Sequence, residues 1–272
     1  MNMDEHHHHV NGDSINQISE MVPQLILAFP FVVILILYGV GVLLSNRHYK
    51  RWPIYRTVLF FIGAMLAILT VLGPVADRAH NDFTAHMLGH LLLGMLAPLL
   101  MALATPMTLL LRTISVRGAR GLTGILKSRF GLILSDPVTA TLLNVGGLWV
   151  LYTTDLYELM HQNMFLHIVI HLHVFLAGYL FTISIIYIDP APHRRSFIYR
   201  SIILLTALAA HGILSKFIYA NPPVGVPKDQ AESGAMLMYY GGDAVDLILI
   251  VFLCLHWYNA TRPRETFAMA GK

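Results

Sequence analysis

Seven long, mostly apolar stretches set the limits on this fold: about 22–45, 54–73, 86–111, 137–154, 164–188, 198–219 and 234–258. A helix needs roughly 20 apolar residues to cross a bilayer. Inside lipid, every backbone donor and acceptor must find its partner within the protein. Composition agrees, because 56% of residues are hydrophobic and 12% charged, against about 25% charged in soluble domains. The expected fold is an all-α integral membrane protein with seven transmembrane helices. Residues 1–21 form a His/Met-containing tail, 22–258 the membrane domain and 259–272 a second tail.

Lys and Arg concentrate on cytoplasmic loops. Arg47, Lys50, Arg51 and Arg56 fall at one set of ends, with Arg112, Arg117, Arg120, Lys127, Arg129, Arg194, Arg195, Arg200, Arg262, Arg264 and Lys272. Arg78, Lys216 and Lys228 fall at the other. This predicts an outside N-terminus and a cytoplasmic C-terminus. Asp77, Asp82, Asp155, Glu158, Asp229 and Glu232 then face outside, where they favour an incoming cation. Residues 1–20 are polar and acidic, without a signal-peptide pattern. His6–His9 read equally as a tag remnant or a native metal-gathering tail. The basic pI reflects few charges overall and implies no nucleic-acid partner. One cysteine, Cys254, excludes an intrachain disulfide or a CxxC site. The glycines of Gly118–Gly124 lack the strand and spacing of a phosphate loop. Residues 112–136 read instead as a basic amphipathic segment on anionic lipid.

Chemistry concentrates in the outer half. His86/His90 and His167/His171 are i,i+4 pairs, so each pair projects from one helix face. Met164 continues the second stripe outward. His211 and Asp243 lie at similar depth on segments six and seven, roughly 13 Å below the outer end, with Asp246 one turn further. Met236, Tyr240 and Asp243 share a face. His161 and His173 join the outer group, while His256 sits at the cytoplasmic end. Ionisable side chains are expensive in a bilayer and by default suggest function. Two bland alternatives stand beside this reading. His173, off the His167/His171 face, suits an interhelical hydrogen bond, and Asp243 has a candidate partner in Lys216. Neutral imidazole suits zinc, copper, iron and nickel, and thioether leans towards Cu(I). Met87, Met160, Met164, Met236 and Met238 near the outer surface, with Met1 and Met3, favour copper as Cu(I) over zinc, although Met is also a common packing residue.

From about residue 86 to 245 an ordered series of motifs resembles the CtaG-type cytochrome c oxidase assembly factors of bacteria. It comprises His86-Met-Leu-Gly-His90 with Ala97-Pro98, Asp136-Pro137, and Tyr152-Thr-Thr-Asp-Leu156. His167-x-x-x-His171 follows, with Phe175-Leu-Ala-Gly-Tyr-Leu-Phe181, Asp189-Pro-Ala-Pro192, His211-Gly212 and Asp229-Gln230 before Gly234. Tyr239/Tyr240 and Thr182 stand where tryptophan is common in the family. The resemblance implies a seven-helix protein of the bacterial plasma (inner) membrane, needed for maturation of haem–copper oxidases and helping to deliver or insert copper.

The combined expectation is a non-catalytic assembly factor. His86, His90, His167 and His171 bind copper, and His211 and Asp243 complete or orient the site. Met87, Met164 and the N-terminal tail gather Cu(I) at the mouth. The partners are a haem–copper oxidase subunit, a copper donor protein and the bilayer. Asp229 and Gln230 suit a docking or lid role. One rival is a membrane zinc hydrolase with a zinc-activated water, for which no Ser or Glu is obviously placed as acid or base. Another is a haem-binding electron carrier, against which the paired spacing argues. A retinal protein would need a lysine mid-helix, and Lys216 lies too near the surface. Gly39-Val-Gly41 and Gly146-Gly147 permit close helix contacts without choosing an oligomeric state.

Overall fold

The computed structural model describes residues 7–191 and 193–262. Met1, Met3, His6 and Pro192, and the second tail from 263 onward, lie outside the described residues. Among the described residues every regular element is helical. The long helices are α1 (His7–His48), α2 (Ile54–Val71), α3 (Phe83–Leu103), α4 (residues 137–153), α5 (Met164–Ile185), α6 (Phe197–Ala220) and α7 (Lys228–Thr261). The helix α1 already begins within the stretch expected to be a tail.

Six of these, all but α4, are long and apolar enough to cross a membrane, and the chain is a multi-pass membrane protein. Helix α4, the expected fourth span, runs as consecutive pieces of five, five and seven residues, the middle one a π-helical turn. At 1.5 Å per residue it is roughly 25 Å long, shorter than the others. The large exposed side chains of α1, such as Phe29, Leu37 and Leu43, are what lipid-facing helix surfaces present, since lipid rather than water is their solvent.

The central helix is α3. Buried residues make up 61% of its most apolar 18 residues, against 39% or less in the other spans. It packs on α2, α5 and α7. Glycines set these approaches, because small residues let backbones come close. Gly178 of α5 lies against the Gly94 carbonyl of α3, and on α7 Gly241 takes Leu91 and Gly234 takes Phe83 and Met87. A π-helical turn at Leu92–Leu96 widens α3 around this crossing. Pro98 explains it: proline has no N–H to offer the Gly94 carbonyl four residues back, and its ring crowds that oxygen. The corresponding turn of α4, Leu142–Gly146, has a different cause to hand. His173 of α5 donates from Nε2 to the Leu143 carbonyl at 3.0 Å, which meets an acceptor freed by the widened ladder.

The two kinds of loop lie at opposite ends of the bundle. At the basic end, Trp52 Nε1 donates to the Tyr38 hydroxyl, which donates to the Ala104 carbonyl. Arg56 donates to Thr105 there, and Asp136 pairs with Arg195. The helices Val116–Lys127 and Arg129–Leu134 at this end bury no residue in the bundle. At the other end Gln24 of α1 donates to Asp77 at 2.7 Å, and Gln230 accepts from the Phe83 amide at 3.0 Å. Lys216 sits over the Tyr239 ring at 5.2 Å. Among the described residues it forms no ion pair with Asp243.

Candidate metal centre

Helix starts position the histidines. Asp82 caps α3 by accepting from the Thr84 amide at 2.8 Å, the usual way to satisfy a free first-turn donor. That registers His86 and His90 inward, at 8% and 6% exposure. Asn163 caps α5 through the Leu166 amide and registers His167 and His171. The helix Leu156–Gln162 carries Tyr157 and His161. The helix Pro74–Ala79 starts after Gly73, whose φ of 91° lies in a region that favours glycine, and ends at His80.

Five histidines from these four pieces, His80, His86, His161, His167 and His171, line one small cavity together with Gln24. His80 and His161 stand exposed at the mouth, His167 and His171 are half-buried, and His86 is buried at the floor. Ring centroids lie 6.4 Å apart for His86–His171 and 6.2 Å for His86–His161. They lie 5.4 Å apart for His80–His167, 6.3 Å for His80–His161 and 4.1 Å for His167–His171. Two imidazoles sharing an ion at metal–nitrogen distances of roughly 2 Å have centroids roughly 5–6 Å apart; His80–His167 falls within that span, three pairs lie slightly above it and His167–His171 below it.

Their aim differs from their separation. Among the described residues, no group of three or more His, Cys, Asp or Glu side chains stands in metal-holding geometry. Binding an ion therefore requires ring rotation, a soft motion for an imidazole. The tautomers are partly set. Nδ1 of His161 donates to the Tyr157 carbonyl and Nδ1 of His171 to the His167 carbonyl, each at 2.9 Å. A carbonyl only accepts, so both Nε2 atoms keep a lone pair for an ion. His86 Nε2 lies 3.1 Å from the Tyr152 hydroxyl. Burial, with the Asp82 carboxylate adding to it, pushes the nearby Tyr157 hydroxyl up, so it stays protonated.

A second small cavity lies deeper and shares His86 and His171. His90 and Tyr152 line it. His90 faces His211 of α6, with centroids 6.3 Å apart. The His211 ring rests on Gly242 of α7, where a Cβ would come within 2.6 Å of it.

The eight residues expected from sequence therefore separate. His86, His167 and His171 meet in the outer cavity, and His90 and His211 form a deeper pair. Asp243 is exposed, within electrostatic reach of His211, while Asp246 is buried at 3% exposure. Met87 is fully buried in an apolar cluster with Phe83, Leu148 and Met238, and Met164 is half-exposed at the start of α5. Neither methionine lines either histidine cavity. His173 makes the interhelical bond described above. Sequence reasoning missed His80. Its one signal is position, a histidine in the short connection between two spans whose ends already face the outer cluster.

The sequence profile described as "Cytochrome c oxidase caa3 assembly factor" matches residues 36–260. An uncharacterized protein of Mycobacterium leprae is 31% identical over 187 residues, and uncharacterized proteins of Mycobacterium bovis and Mycobacterium tuberculosis are each 32% identical over 187. The matched region is 66% of this chain and 28% of each relative, so the chain spans under a third of their length. No solved structure matches it.

Proposed function

We infer, from the premise that this chain belongs to the cytochrome c oxidase caa3 assembly factor family, that it serves oxidase maturation as a carrier of copper. It takes up the ion at the five-histidine cavity and passes it to a haem–copper oxidase subunit, without catalysing a reaction of its own. The observation that carries this reading is the convergence of His80, His86, His161, His167 and His171 on one cavity at one end of a membrane bundle. Imidazoles without thiolate suit copper, with zinc as the alternative. The arrangement also suits cargo. A closed cage holds its metal, whereas a site that hands one on must open. Here His80 and His161 sit on short helices of six and seven residues or at their ends. In this reading α4 is the seventh span, the histidine end faces outside, and the basic end faces the cytoplasm of a bacterial plasma membrane. A copper donor protein loads the mouth, beside Asp82 and Glu158.

The test is elemental analysis of protein purified from membranes without metal-affinity resin. Wild type is compared with His161→Ala/His167→Ala and His86→Ala/His171→Ala. The expected result is bound copper that both double variants lower. Zinc in its place would favour a zinc hydrolase. A wild type that takes up no metal after copper loading under reducing conditions would overturn the carrier mechanism and leave the family assignment standing.

A further inference from the structure

We propose that His90 and His211 form a second metal site, a two-coordinate seat for one Cu(I) ion beneath the five-histidine cavity. The choice of copper rests on the reading above, whereas the site itself rests on separate observations.

Both rings are buried, at 6% and 5% exposure. His90 Nδ1 and Nε2 and His211 Nε2 have no hydrogen-bond partner. Buried polar atoms are nearly always paired, and an orphan is a sign of a missing water or ion. Here three orphans belong to two facing rings on different helices. The rings are also held where they are. A Cβ on Gly94 would come within 3.4 Å of the His90 ring, and one on Gly242 within 2.6 Å of the His211 ring, so each imidazole occupies space that a glycine leaves open. Their centroids are 6.3 Å apart and their planes 30° from parallel. A linear N–metal–N unit with bonds of roughly 2 Å spans roughly 6 Å between centroids.

The donor set selects the ion by chemistry. Zinc wants four ligands, and calcium and magnesium want oxygen. Two neutral imidazoles in an apolar pocket fit a soft monovalent d10 ion. Asp243, within electrostatic reach of His211, supplies negative charge to offset it. The site also has an entrance. His86 lines both cavities, and His90 follows it on the same face of α3. An ion thus moves from the outer cluster through His86 to His90.

The experiment loads the full chain in lipid nanodiscs with Cu(I) anaerobically, against a chromophoric chelator, and counts bound copper. Wild type is expected to hold two equivalents. His90→Leu and His211→Leu should each lose the same single equivalent, and the double variant no more. His161→Ala/His167→Ala should lose the other. X-ray absorption of copper left in that last variant should show two nitrogen neighbours in a linear arrangement, a readout needing no change at His90 or His211. If folded His90→Leu and His211→Leu keep the wild-type count, water fills the orphan positions and the deep site is refuted while the outer one stands. Three or four neighbours in the absorption spectrum refute it equally. A wild type that binds no copper removes both readings together.

Discussion

Gly178→Ala tests the contact that sets the separation of the two histidine-bearing helices. The added Cβ would run into the Gly94 carbonyl oxygen, with the Gly94 carbonyl carbon at 2.9 Å and Pro98 Cγ at 3.4 Å. The first two are backbone, so no rotamer change relieves them and α5 must back away from α3 by roughly 1 Å, the scale of overpacking that costs about 1–3 kcal/mol and occasionally more. Alanine returns about 1 kcal/mol of helix propensity over glycine. With the clash at or above the top of its range, the net loss is about 2 kcal/mol, or about 30-fold in the unfolding equilibrium. Gly39 and Gly146 are the controls, because a Cβ at either meets nothing within 4 Å, and alanine there should be neutral or slightly stabilising. The assay is reversible unfolding in mixed micelles with rising SDS fraction, followed by helical circular dichroism. Gly178 lies two turns below His171 and Gly94 one turn below His90, so copper affinity should fall with stability in Gly178→Ala and stay constant in the controls. A Gly178→Ala protein that unfolds at the same SDS fraction as the controls would refute the close crossing and the positioning argument built on it.

Asp189→Ala removes an acceptor that holds the Met107 and Thr108 amides at 3.0 and 2.9 Å and so caps the helix Pro106–Thr113 from a distant loop. The expected cost is about 1–2 kcal/mol, read as a lower unfolding midpoint with copper content unchanged. Gln24→Leu cuts the bond to Asp77 that anchors the connection carrying His80. Copper affinity should drop several-fold by chelator competition while stability falls only about 1 kcal/mol. His173→Leu leaves the Leu143 carbonyl without its donor and should cost about 1 kcal/mol without altering the copper count, which separates a structural histidine from a ligand.

The helices and the paired histidines were legible because both are local. Hydropathy marks a span wherever it packs, and i,i+4 spacing puts two imidazoles on one face whatever the face meets. What lay across the bundle was not legible. His80 lines the cavity from a connection that Gln24, 53 residues away from Asp77, helps tie down. Met87 follows His86 by one residue, so it points about 100° around α3, into α7 at Gly234. Met164 fits the His167/His171 stripe in sequence, yet it is the first residue after the Asn163 cap, where no preceding turn holds it inward. The widened turn of α4 also has a tertiary partner, since the donor that meets it comes from His173 on another helix.

Ligand rigidity is graded along the proposed route. His86, His90 and His171 sit on long helices locked by the Gly94–Gly178 crossing, and they cannot shift without unpacking α3 from α5. His80 and His161 sit at the mouth, on short helices or at their ends, and Gln24–Asp77 ties the first of these to α1. On the proposed carrier reading, an incoming ion would draw the mouth ligands toward the floor ligands, and the ordering would fall on the connections. Release outward would then reverse those motions, and transfer inward would pass from His86 to His90 on the same face of α3. A preformed four-ligand cage would gain affinity at the expense of both exits, so a cavity with suitable spacing and incomplete aim is what a carrier requires.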